Sequence, residues 1–500
     1  MKRDTSQFQN IPYDVLVIGG GINGAAVANM AAQNKLRVAL LDKGDFAGGT
    51  SSKSTKLIHG GLRYLENFEF GLVREALHER TAQLRIAPHL VKELGFIIPV
   101  YKNDPRPLWM MKLGVTLYDL LSGKHVIHPY KPLSAAEVIH FIPGIKQEDL
   151  TGGLIYWDAQ MDDARLVLEN VQQAELNGAH VANYVEVRTI LKENGKAVGV
   201  TVKDLISGET FDMRAKHIVC AVGPWTNIFQ RKERSESPAR VRTTKGVHVI
   251  YRGSFCRHAI FVQSHTDGRV FFMIPWYGNT MIGTTDTDYE AHPDEVSVEE
   301  EDIRYLCKAA GRLFPDQEFT ADKIVSSFAG LRPLVHKDAA SPEKVSRKHL
   351  INPSFSGVMY IMGGKYTTYR VIARECLERL GIIKPEEFKG DLQVYGGGEP
   401  AFTPEQICEK YGIQEDTALM LRRTYGSRVE DVLRPTVTDN SLLERLNPDF
   451  PYIKAQLTYG VNVEMAMTPD DIIWRRLPLA YQGLDTPEIR SFIQGQLLPA

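Results

Sequence analysis

The clearest hydrophobic pattern in the chain lies near its N-terminus, in residues 13–42. A short apolar run at 15–18, rich in β-branched side chains, predicts a buried strand that ends in the glycines of G-x-G-x-x-G. An alanine-rich stretch at 25–34 predicts a helix, and a second apolar run at 36–41 predicts another strand. The order strand, helix, strand predicts a βαβ unit in a parallel sheet.

The glycines of this unit have the spacing of a dinucleotide-binding site. Gly19 permits a tight turn, Gly21 lets the backbone approach a pyrophosphate, and Gly24 lets the helix lie close to the strand. Asp42 follows about 20 residues later, where an acid accepts hydrogen bonds from a ribose. A glycine-rich turn of any α/β protein is the alternative, but here strands, helix and acid coincide.

Two later patterns predict helices. Residues 70–85 alternate apolar and charged side chains at helical spacing, which is typical of an amphipathic helix. Residues 106–124 are the most apolar segment and carry a Trp, and we expect them to pack in the core of a cap domain. The alternative is an amphipathic element on a membrane surface, since such faces combine Trp and Leu with flanking cations.

Short strands and further helices follow. Asp162 and Asp163 predict the start of a helix that ends at Gly178. Strands expected to alternate with turns at 246–250, 270–274 and 280–283 indicate an antiparallel second domain, after an exposed connection at 230–240. Thr-Pro-acid sequences begin at 403, 468 and 486, and each predicts the first turn of a helix in a small C-terminal domain.

Composition narrows the class of protein. The 500 residues are 43% hydrophobic and 24% charged, which is ordinary for a globular enzyme of two or three domains. A formal net charge of -2 argues against a nucleic-acid binder. The five cysteines are scattered, which predicts a reducing compartment with neither a metal site nor disulfides, and we expect no signal peptide or membrane span.

The loop after Asp42 carries candidate cofactor ligands. Hydroxyls at Thr50, Ser51 and Ser52 stand where a loop can wrap a pyrophosphate, although composition alone would suit a solvated loop. His59 then precedes paired glycines, and glycine pairs allow close approach of the backbone to a ligand.

Several motifs together resemble one family. The chain is similar to the FAD-dependent, quinone-linked glycerol-3-phosphate dehydrogenases of the D-amino-acid-oxidase-like flavoprotein group. The similar motifs are GGGINGAA and TSSKSTKLIHGGLRYLE, then MDDARL at 161–166, AVGPW at 221–225, IGTTDTDY at 282–289, GLRPL at 330–334 and GGKYTTYR at 363–370. One departure is Leu477, where the family often has Thr after IIWRR.

The resemblance implies an α/β fold with three parts. A discontinuous, Rossmann-like FAD-binding domain would comprise 1–75, 150–230 and 325–395. An antiparallel β substrate or cap domain would comprise 76–149 and 231–324, and a helical C-terminal domain 400–500. Further FAD contacts are implied at Gly223, Gly364, Lys365 and Thr367, where a helix N-terminus also supplies positive partial charge.

The resemblance also implies a phosphate clamp and a proton acceptor. Arg63, Arg332 and Lys365 are the implied cations, since a guanidinium binds phosphate oxygens bidentately, with Tyr64 and Thr285 as further substrate contacts. His248 is our first choice of general base and His59 the second, because a histidine titrates near neutrality. Arg332 would stabilise charge.

The implied reaction is oxidation of sn-glycerol 3-phosphate to dihydroxyacetone phosphate by hydride transfer to flavin, with electrons passed to a membrane quinone. The enzyme would be cytoplasmic and peripheral at the inner face of the membrane, possibly as a homodimer, with no nucleic-acid partner. An oxidase that uses oxygen and an amine or amino-acid oxidase of the same fold are the alternatives. Two further alternatives fit fewer motifs: a flavin-binding scaffold or redox sensor without turnover, and a nicotinamide-dependent dehydrogenase.

Overall fold

A computed structural model describes residues 1, 3–9, 11–233, 240–263, 270–335, 349–384, 387 and 391–497. Its strands are β1 (Pro12–Ile18), β2 (Val38–Leu41), β3 (Leu57–Ile58), β4 (Val91–Tyr101), β5 (Lys131–Leu133), β6 (Leu150–Met161), β7 (His180–Ala182), β8 (Val185–Glu193), β9 (Lys196–Asp204), β10 (Thr210–Cys220), β11 (Val241–Tyr251), β12 (Ala259–Gln263), β13 (Val270–Trp276), β14 (Asn279–Gly283), β15 (Thr287–Asp288), β16 (Ile324–Val335), β17 (Leu350–Pro353) and β18 (Met359–Met362). Its α-helices are α1 (Ile22–Gln33), α2 (Phe70–Ile86), α3 (Leu108–Ser122), α4 (Ala135–Phe141), α5 (Asp163–Leu176), α6 (Thr226–Glu233), α7 (Glu300–Leu313), α8 (Tyr369–Arg379), α9 (Pro404–Tyr411), α10 (Glu415–Tyr425), α11 (Val429–Leu433), α12 (Lys454–Asn462), α13 (Pro469–Asp471) and α14 (Pro487–Gln496).

The first sheet contains the predicted βαβ unit. Its strands run in the order β17-β18-β10-β1-β2-β7, with the β8–β9 hairpin attached to β10. Strand β1 pairs in parallel with both β2 and β10, which confirms the parallel arrangement. Helix α1 begins at Ile22, three residues before the expected start, because it continues directly from the glycine turn. Its buried alanines pack on α5 and α8.

The second sheet is almost entirely antiparallel, as expected. Its order is β15-β11-β14-β13-β12-β4-β6-β3, with β16 paired to β11 and β5 to β6, and the one parallel pair described is β4 with β12. Strands β6 and β16 run in this sheet, although the expected boundaries put residues 150–161 and 325–335 in the cofactor domain. Both strands join the second sheet by pairing with strands far away in the sequence, β6 with β4 and β16 with β11. The local sequence pattern could not indicate such pairing.

Helix α3 does not lie in the core as we expected. Within α3, burial is confined to Val115, Tyr118 and Ser122. Trp109 is 64% exposed, Leu113 64% and Leu120 75%. The apolar side chains of this segment are therefore divided between two faces. Four further side chains on the inner face are partly buried against the core, namely Leu108, Met111, Leu117 and Leu121, so the core prediction is wrong for the outer face only. Among the described residues, none of the helices has the length and apolar character needed to cross a membrane.

The C-terminal residues form the predicted helical domain. Each of the three predicted helix starts is confirmed, because Thr403, Thr468 and Thr486 accept a backbone hydrogen bond from inside the first turn. A π-helical turn, Ile472–Arg476, follows α13 and packs against α5 and α12. The helix predicted after Asp162 is also confirmed as α5. Of the expected connection at 230–240, residues 234–239 lie outside the described residues.

Candidate active site

A cavity of about 810 Å³ lies where the two sheets meet. Elements distant in sequence build its walls: the turn between β1 and α1, the loop after β2, the middle of β11 and β16, and the segment after β18. We call it the first cavity. The predicted site residues that line it are Gly19, Gly21, Asp42, Thr50, Ser51, His59, Tyr64, Gly223, His248, Arg332, Gly364, Lys365 and Thr367.

The glycine turn and Asp42 form one end of the first cavity. Asp42 accepts hydrogen bonds from the backbone N–H groups of Gly20 at 2.6 Å and Gly44 at 2.8 Å. Burial raises the pKa of this carboxyl group to about 6, although the two hydrogen bonds by themselves would lower it. Gly24 does not line the cavity, but a Cβ there would lie 1.9 Å from the Gly19 carbonyl oxygen, so only glycine permits this helix-to-strand contact.

Hydroxyl groups organise the adjoining loop. Ser51 Oγ accepts a hydrogen bond from the Ile22 N–H at 3.0 Å, and Thr50 Oγ1 donates to the Leu331 carbonyl at 2.6 Å. The N-terminus of α1 faces the cavity, where its dipole favours an anion. Asn23 Oδ1, beside it, lacks a hydrogen-bond partner among the described residues. This end of the cavity therefore suits the pyrophosphate of a dinucleotide.

A fully buried ion pair fixes the loop from behind. Lys56 Nζ lies 2.6 Å from Asp163 Oδ1, and both side chains are 1% exposed. Ser54 Oγ donates to the other carboxylate oxygen at 2.7 Å. Lys56 Nζ also donates to the Ser52 carbonyl at 2.7 Å. Ser52 is itself buried and does not line the cavity, so its predicted cofactor contact is not supported by its position.

His248 lies at the centre of the opposite end. Its ring is 1% exposed and stacks on Phe328, with 5.0 Å between ring centroids. Its Nε2 lies 3.0 Å from Thr55 Oγ1, and its Nδ1 has no partner among the described residues. Burial, with the charges of Arg332 and Lys56, lowers the pKa of His248 well below its ordinary value. The imidazole is therefore neutral at physiological pH, and the same burial and charges make it a weaker base than a solvated histidine.

Arg332 holds a fixed guanidinium beside this histidine. Its Nη1 lies 3.1 Å from Asp286 Oδ1, and its Nη2 donates to Thr284 Oγ1 at 2.7 Å. The group lies directly over Gly246, where a Cβ would meet it at 2.3 Å. Thr285 lies outside the cavity lining, and its hydroxyl accepts a hydrogen bond from the Val247 N–H. Because that hydroxyl serves the backbone, the predicted substrate contact of Thr285 lacks structural support.

A third wall brings together His59, Tyr64, Lys365 and Thr367. Lys365 Nζ lies 3.7 Å from the centroid of the Tyr64 ring and 3.3 Å from the Gly60 carbonyl oxygen. Thr367 Oγ1 is within 3.3 Å of both the N–H and the carbonyl oxygen of His59. These contacts join the two motifs HGGLRY and GGKYTTYR across 305 residues of sequence, as the predicted shared site requires.

Arg63 departs from the predicted clamp. It lies in a 3-10 turn, Leu62–Leu65, and lines a second cavity of about 980 Å³, whereas its neighbour Tyr64 lines the first. Successive side chains of this half-buried turn diverge, which the sequence motif could not indicate. We call this space the second cavity. Apolar side chains of α3, β4, β12 and β13 form much of its walls. Its lining also holds cations at Arg63, Arg106, Lys146 and Arg312 and acids at Glu66, Asp104 and Asp149.

Among the residues of the first cavity that were not predicted are two cations from distant parts of the sequence, Lys53 and Arg475. Lys53 lines the cavity and lies over the Trp474 ring, 5.0 Å from its centroid. Burial and the charge of Arg475 lower the pKa of Lys53 to about 8. Arg475 lines the cavity as well. These residues belong to the motifs TSSKSTK and IIWRR. No local sequence pattern indicates that the two motifs, more than 400 residues apart, contact each other.

The sequence matches two described families in succession. Residues 14–370 match the family described as FAD dependent oxidoreductase. Residues 390–488 match the C-terminal domain of alpha-glycerophosphate oxidase. Together these two matches span most of the chain, and the junction between them falls before the helical domain.

Similar proteins agree with these families. The aerobic glycerol-3-phosphate dehydrogenase of Bacillus subtilis (strain 168) is 36% identical, over 93% of this chain and 86% of its own. The mitochondrial glycerol-3-phosphate dehydrogenase of Homo sapiens is 35% identical, over 95% and 68%. The solved glycerol-3-phosphate dehydrogenase from Bacillus halodurans complexed with FAD is 30% identical, with a TM-score of 0.76 over 98% of this chain and 95% of its own. The L-alpha-glycerophosphate oxidase of Mycoplasma pneumoniae shares the fold at 19% identity, with a TM-score of 0.58 over 75% of this chain and 97% of its own. The chain therefore belongs to the FAD-dependent glycerol-3-phosphate dehydrogenase family.

Proposed function

We propose that the protein oxidises sn-glycerol 3-phosphate to dihydroxyacetone phosphate at the first cavity. The observation that carries this proposal is the meeting, in one cavity, of a dinucleotide fingerprint with a neutral buried histidine and several cations. An amino-acid oxidase on this fold needs a site for a carboxylate and an amine instead. The proposal therefore rests on the chemistry of these side chains as well as on the family.

The described residues fit FAD. Gly21 lies at the N-terminus of α1, where the missing side chain leaves room for a pyrophosphate, and Asp42 is placed for an adenosine ribose. The backbone amides that begin the turn before α8 supply donors at the far end, and the Thr367 hydroxyl, already bonded to the His59 backbone, holds that wall in place. When bound, FAD supplies the acceptor for the hydride that leaves carbon 2 of the substrate.

Phosphate binding is assigned to Arg332 and Lys365. Both line the same cavity, and a guanidinium that Asp286 and Thr284 already orient loses little rotational freedom when it binds an anion. Tyr64 lies under the Lys365 ammonium group and fixes its direction. Arg63 stays a predicted phosphate ligand that would have to turn away from the second cavity.

Proton acceptance is assigned to His248. Removal of hydride from carbon 2 leaves the hydroxyl proton to be taken up, and a neutral imidazole can accept it. The low pKa of His248 keeps the ring in that form, and Thr55 orients it. His59 lines the same cavity and is the second candidate.

The proposed electron acceptor is a membrane quinone, reached at the inner face of the cytoplasmic membrane. The exposed apolar side chains of α3 support this part of the proposal, because Trp and Leu beside cations suit a membrane surface. The second cavity opens beside α3, and Met110 and Leu113 belong to both. Its apolar walls and guanidinium groups suit a lipophilic molecule with carbonyl oxygens.

An anaerobic titration tests the substrate. FAD-loaded protein should lose its visible flavin absorbance when sn-glycerol 3-phosphate is added, and glycerol and sn-glycerol 1-phosphate serve as matched controls. Loss of absorbance with the amino acids proline or glycine, and not with the phosphate ester, would contradict the proposal.

The acceptor is tested in the same cuvette. Once the absorbance is lost, a short-chain quinone should restore it much faster than air does. Faster recovery in air, with accumulation of hydrogen peroxide, would assign the protein as an oxidase instead.

A further inference from the structure

The loop after β2 is tied to the C-terminal domain by a buried group of charges. Asp45 Oδ2 lies 2.6 Å from Arg475 Nε and 2.8 Å from Arg476 Nη1, and its Oδ1 lies 2.8 Å from Arg476 Nη2. The Asp45 and Arg476 side chains are 1% exposed. Asn183 Nδ2 donates to Asp45 Oδ1 at 3.0 Å. This carboxylate is therefore fully satisfied, and mostly by the last hundred residues of the chain.

The same loop supports the dinucleotide fingerprint from outside. Phe46 packs so closely beneath Gly20 that a Cβ on Gly20 would lie 2.5 Å from its ring. The Ala47 N–H donates to the Gly20 carbonyl at 3.0 Å. Asp42, at the other end of the loop, accepts from the Gly20 N–H. A displacement of Asp45 would therefore move the residues that set the shape of the glycine turn.

The π-helical turn directs the side chains of both arginines toward the Asp45 carboxylate. Arg475 also pairs with Asp471 at 2.5 Å, and Tyr184 donates to the same Asp471 oxygen at 2.9 Å. Arg476 donates to the Glu464 carbonyl at 2.7 Å. The guanidinium groups are thus oriented by their own domain before they reach Asp45. Arg475 continues to the wall of the first cavity.

We propose that Arg475 and Arg476 are positioning residues through which the C-terminal domain holds the 42–49 loop in its FAD-binding conformation. The two arginines act through Asp45, and Asp45 acts through Phe46 and Ala47 on Gly20. Affinity for FAD therefore depends on a domain that contributes few residues to the cavity. The relation is independent of the substrate that the enzyme oxidises.

The test measures FAD affinity of the full-length protein. Arg475→Met should raise the FAD dissociation constant by about tenfold or more, because it removes one charged partner of a buried carboxylate. Arg475→Lys, which keeps the charge, should recover part of the affinity. Arg490→Met is the matched control, since Arg490 lies in the same domain and pairs only with the surface acids Asp470 and Asp485 among the described residues.

A double-mutant cycle separates this role from a direct contact with FAD. Asp45→Asn alone should weaken FAD binding, and adding Arg475→Met to it should weaken binding little further, because both changes break one connection. Additive losses would show that Arg475 touches the cofactor and would overturn the proposal. FAD affinity is measured well below the thermal transition of each apoprotein, because removing one charged partner of a buried carboxylate also lowers that transition relative to the Arg490→Met control. An apoprotein that melts much earlier but binds FAD normally would also overturn it.

Discussion

The first and second cavities are similar in size but opposite in construction. The first is lined by glycine turns, hydroxyl groups and oriented charges, and local motifs supply nearly all of them. The second is lined largely by apolar side chains of α3, β4, β12 and β13, with charged side chains among them, and these elements meet through tertiary packing. Tyr64 lines one and Arg63 the other, so a single turn of chain separates them.

This difference teaches how the two halves of the proposed reaction are separated. Substrate oxidation needs fixed charges and a proton acceptor, whereas a lipophilic acceptor needs an apolar surface. Because each cavity would carry out one half of the reaction, we expect changes at one cavity to leave the function of the other intact. The predictions below test that independence.

Glycines on two helices give the sharpest contrast. Gly24→Ala places a methyl group 1.9 Å from a backbone oxygen, so α1 must move and FAD binding should be lost. Gly114 on α3 has no atom within 4 Å of its Cβ position, so Gly114→Ala should bind FAD normally. It should also stabilise α3 by about 0.5–1 kcal/mol. Flavin absorbance after purification checks both, and FAD retention by Gly24→Ala would contradict the account.

Removal of the proposed base should have the next largest effect. His248→Gln should lower kcat by about 100- to 10,000-fold, because proton acceptance in the transition state is lost. His59→Gln is the comparison variant and should lose much less. Steady-state rates with a soluble quinone measure both, and the reverse ranking would assign the base to His59.

Removal of the guanidinium in the first cavity should act on substrate binding. Arg332→Ala should raise KM for sn-glycerol 3-phosphate by about 10- to 100-fold, through lost charge-assisted hydrogen bonds. FAD affinity should stay unchanged. Arg242→Ala, which breaks an exposed ion pair with Asp288 on the same sheet, is the control. Equal loss of substrate and FAD would show that Arg332 is structural.

Changes on α3 should affect membrane binding and leave reduction of the flavin by the substrate unchanged. Trp109→Ser and Leu113→Ser should each weaken binding to anionic vesicles by about tenfold, since each removes a side chain whose burial contributes about 1.5–3 kcal/mol. Val437→Ser removes an equally exposed apolar side chain elsewhere and should have no effect. Vesicle co-sedimentation measures the affinity. Slower reduction of the flavin by sn-glycerol 3-phosphate in the α3 variants would break the separation of the two cavities.

The smallest expected effect is on stability at low pH. His248 has a lowered pKa when folded, so below about pH 6.5 the unfolded chain binds a proton that the native protein does not. Stability should fall by up to about 1.4 kcal/mol per pH unit as pH drops through that range. His248→Gln should reduce this slope, whereas exposed His128→Gln should not. Thermal transitions at several pH values measure the slope, and an unchanged slope would contradict the burial argument.

Sequence reasoning predicted the first cavity well because its parts are local. The glycine turn, Asp42, and the helix starts at Thr403, Thr468 and Thr486 each follow from a few adjacent residues and known backbone geometry. Gly24 shows the physical reason most directly, since one excluded Cβ determines the residue.

The remaining features depend on contacts that no local pattern carries. The exposure of α3 was missed because an apolar stretch looks alike in a core and on a surface. The side of the turn that Arg63 faces depends on the packing of that turn against α2 and α3. The pairing of Asp45 with Arg475 joins residues 430 positions apart. Such contacts are set by how the domains pack, and the sequence of either partner alone does not indicate them.

The most direct test is an experimental structure of the protein with FAD and sn-glycerol 3-phosphate bound. The account predicts the phosphate against Arg332 and Lys365, carbon 2 beside the flavin, and its hydroxyl within hydrogen-bond distance of His248. The second cavity should contain no phosphate ester. A phosphate ester bound at Arg63 within the second cavity, with no contact to Arg332, would contradict the assignment of the two cavities.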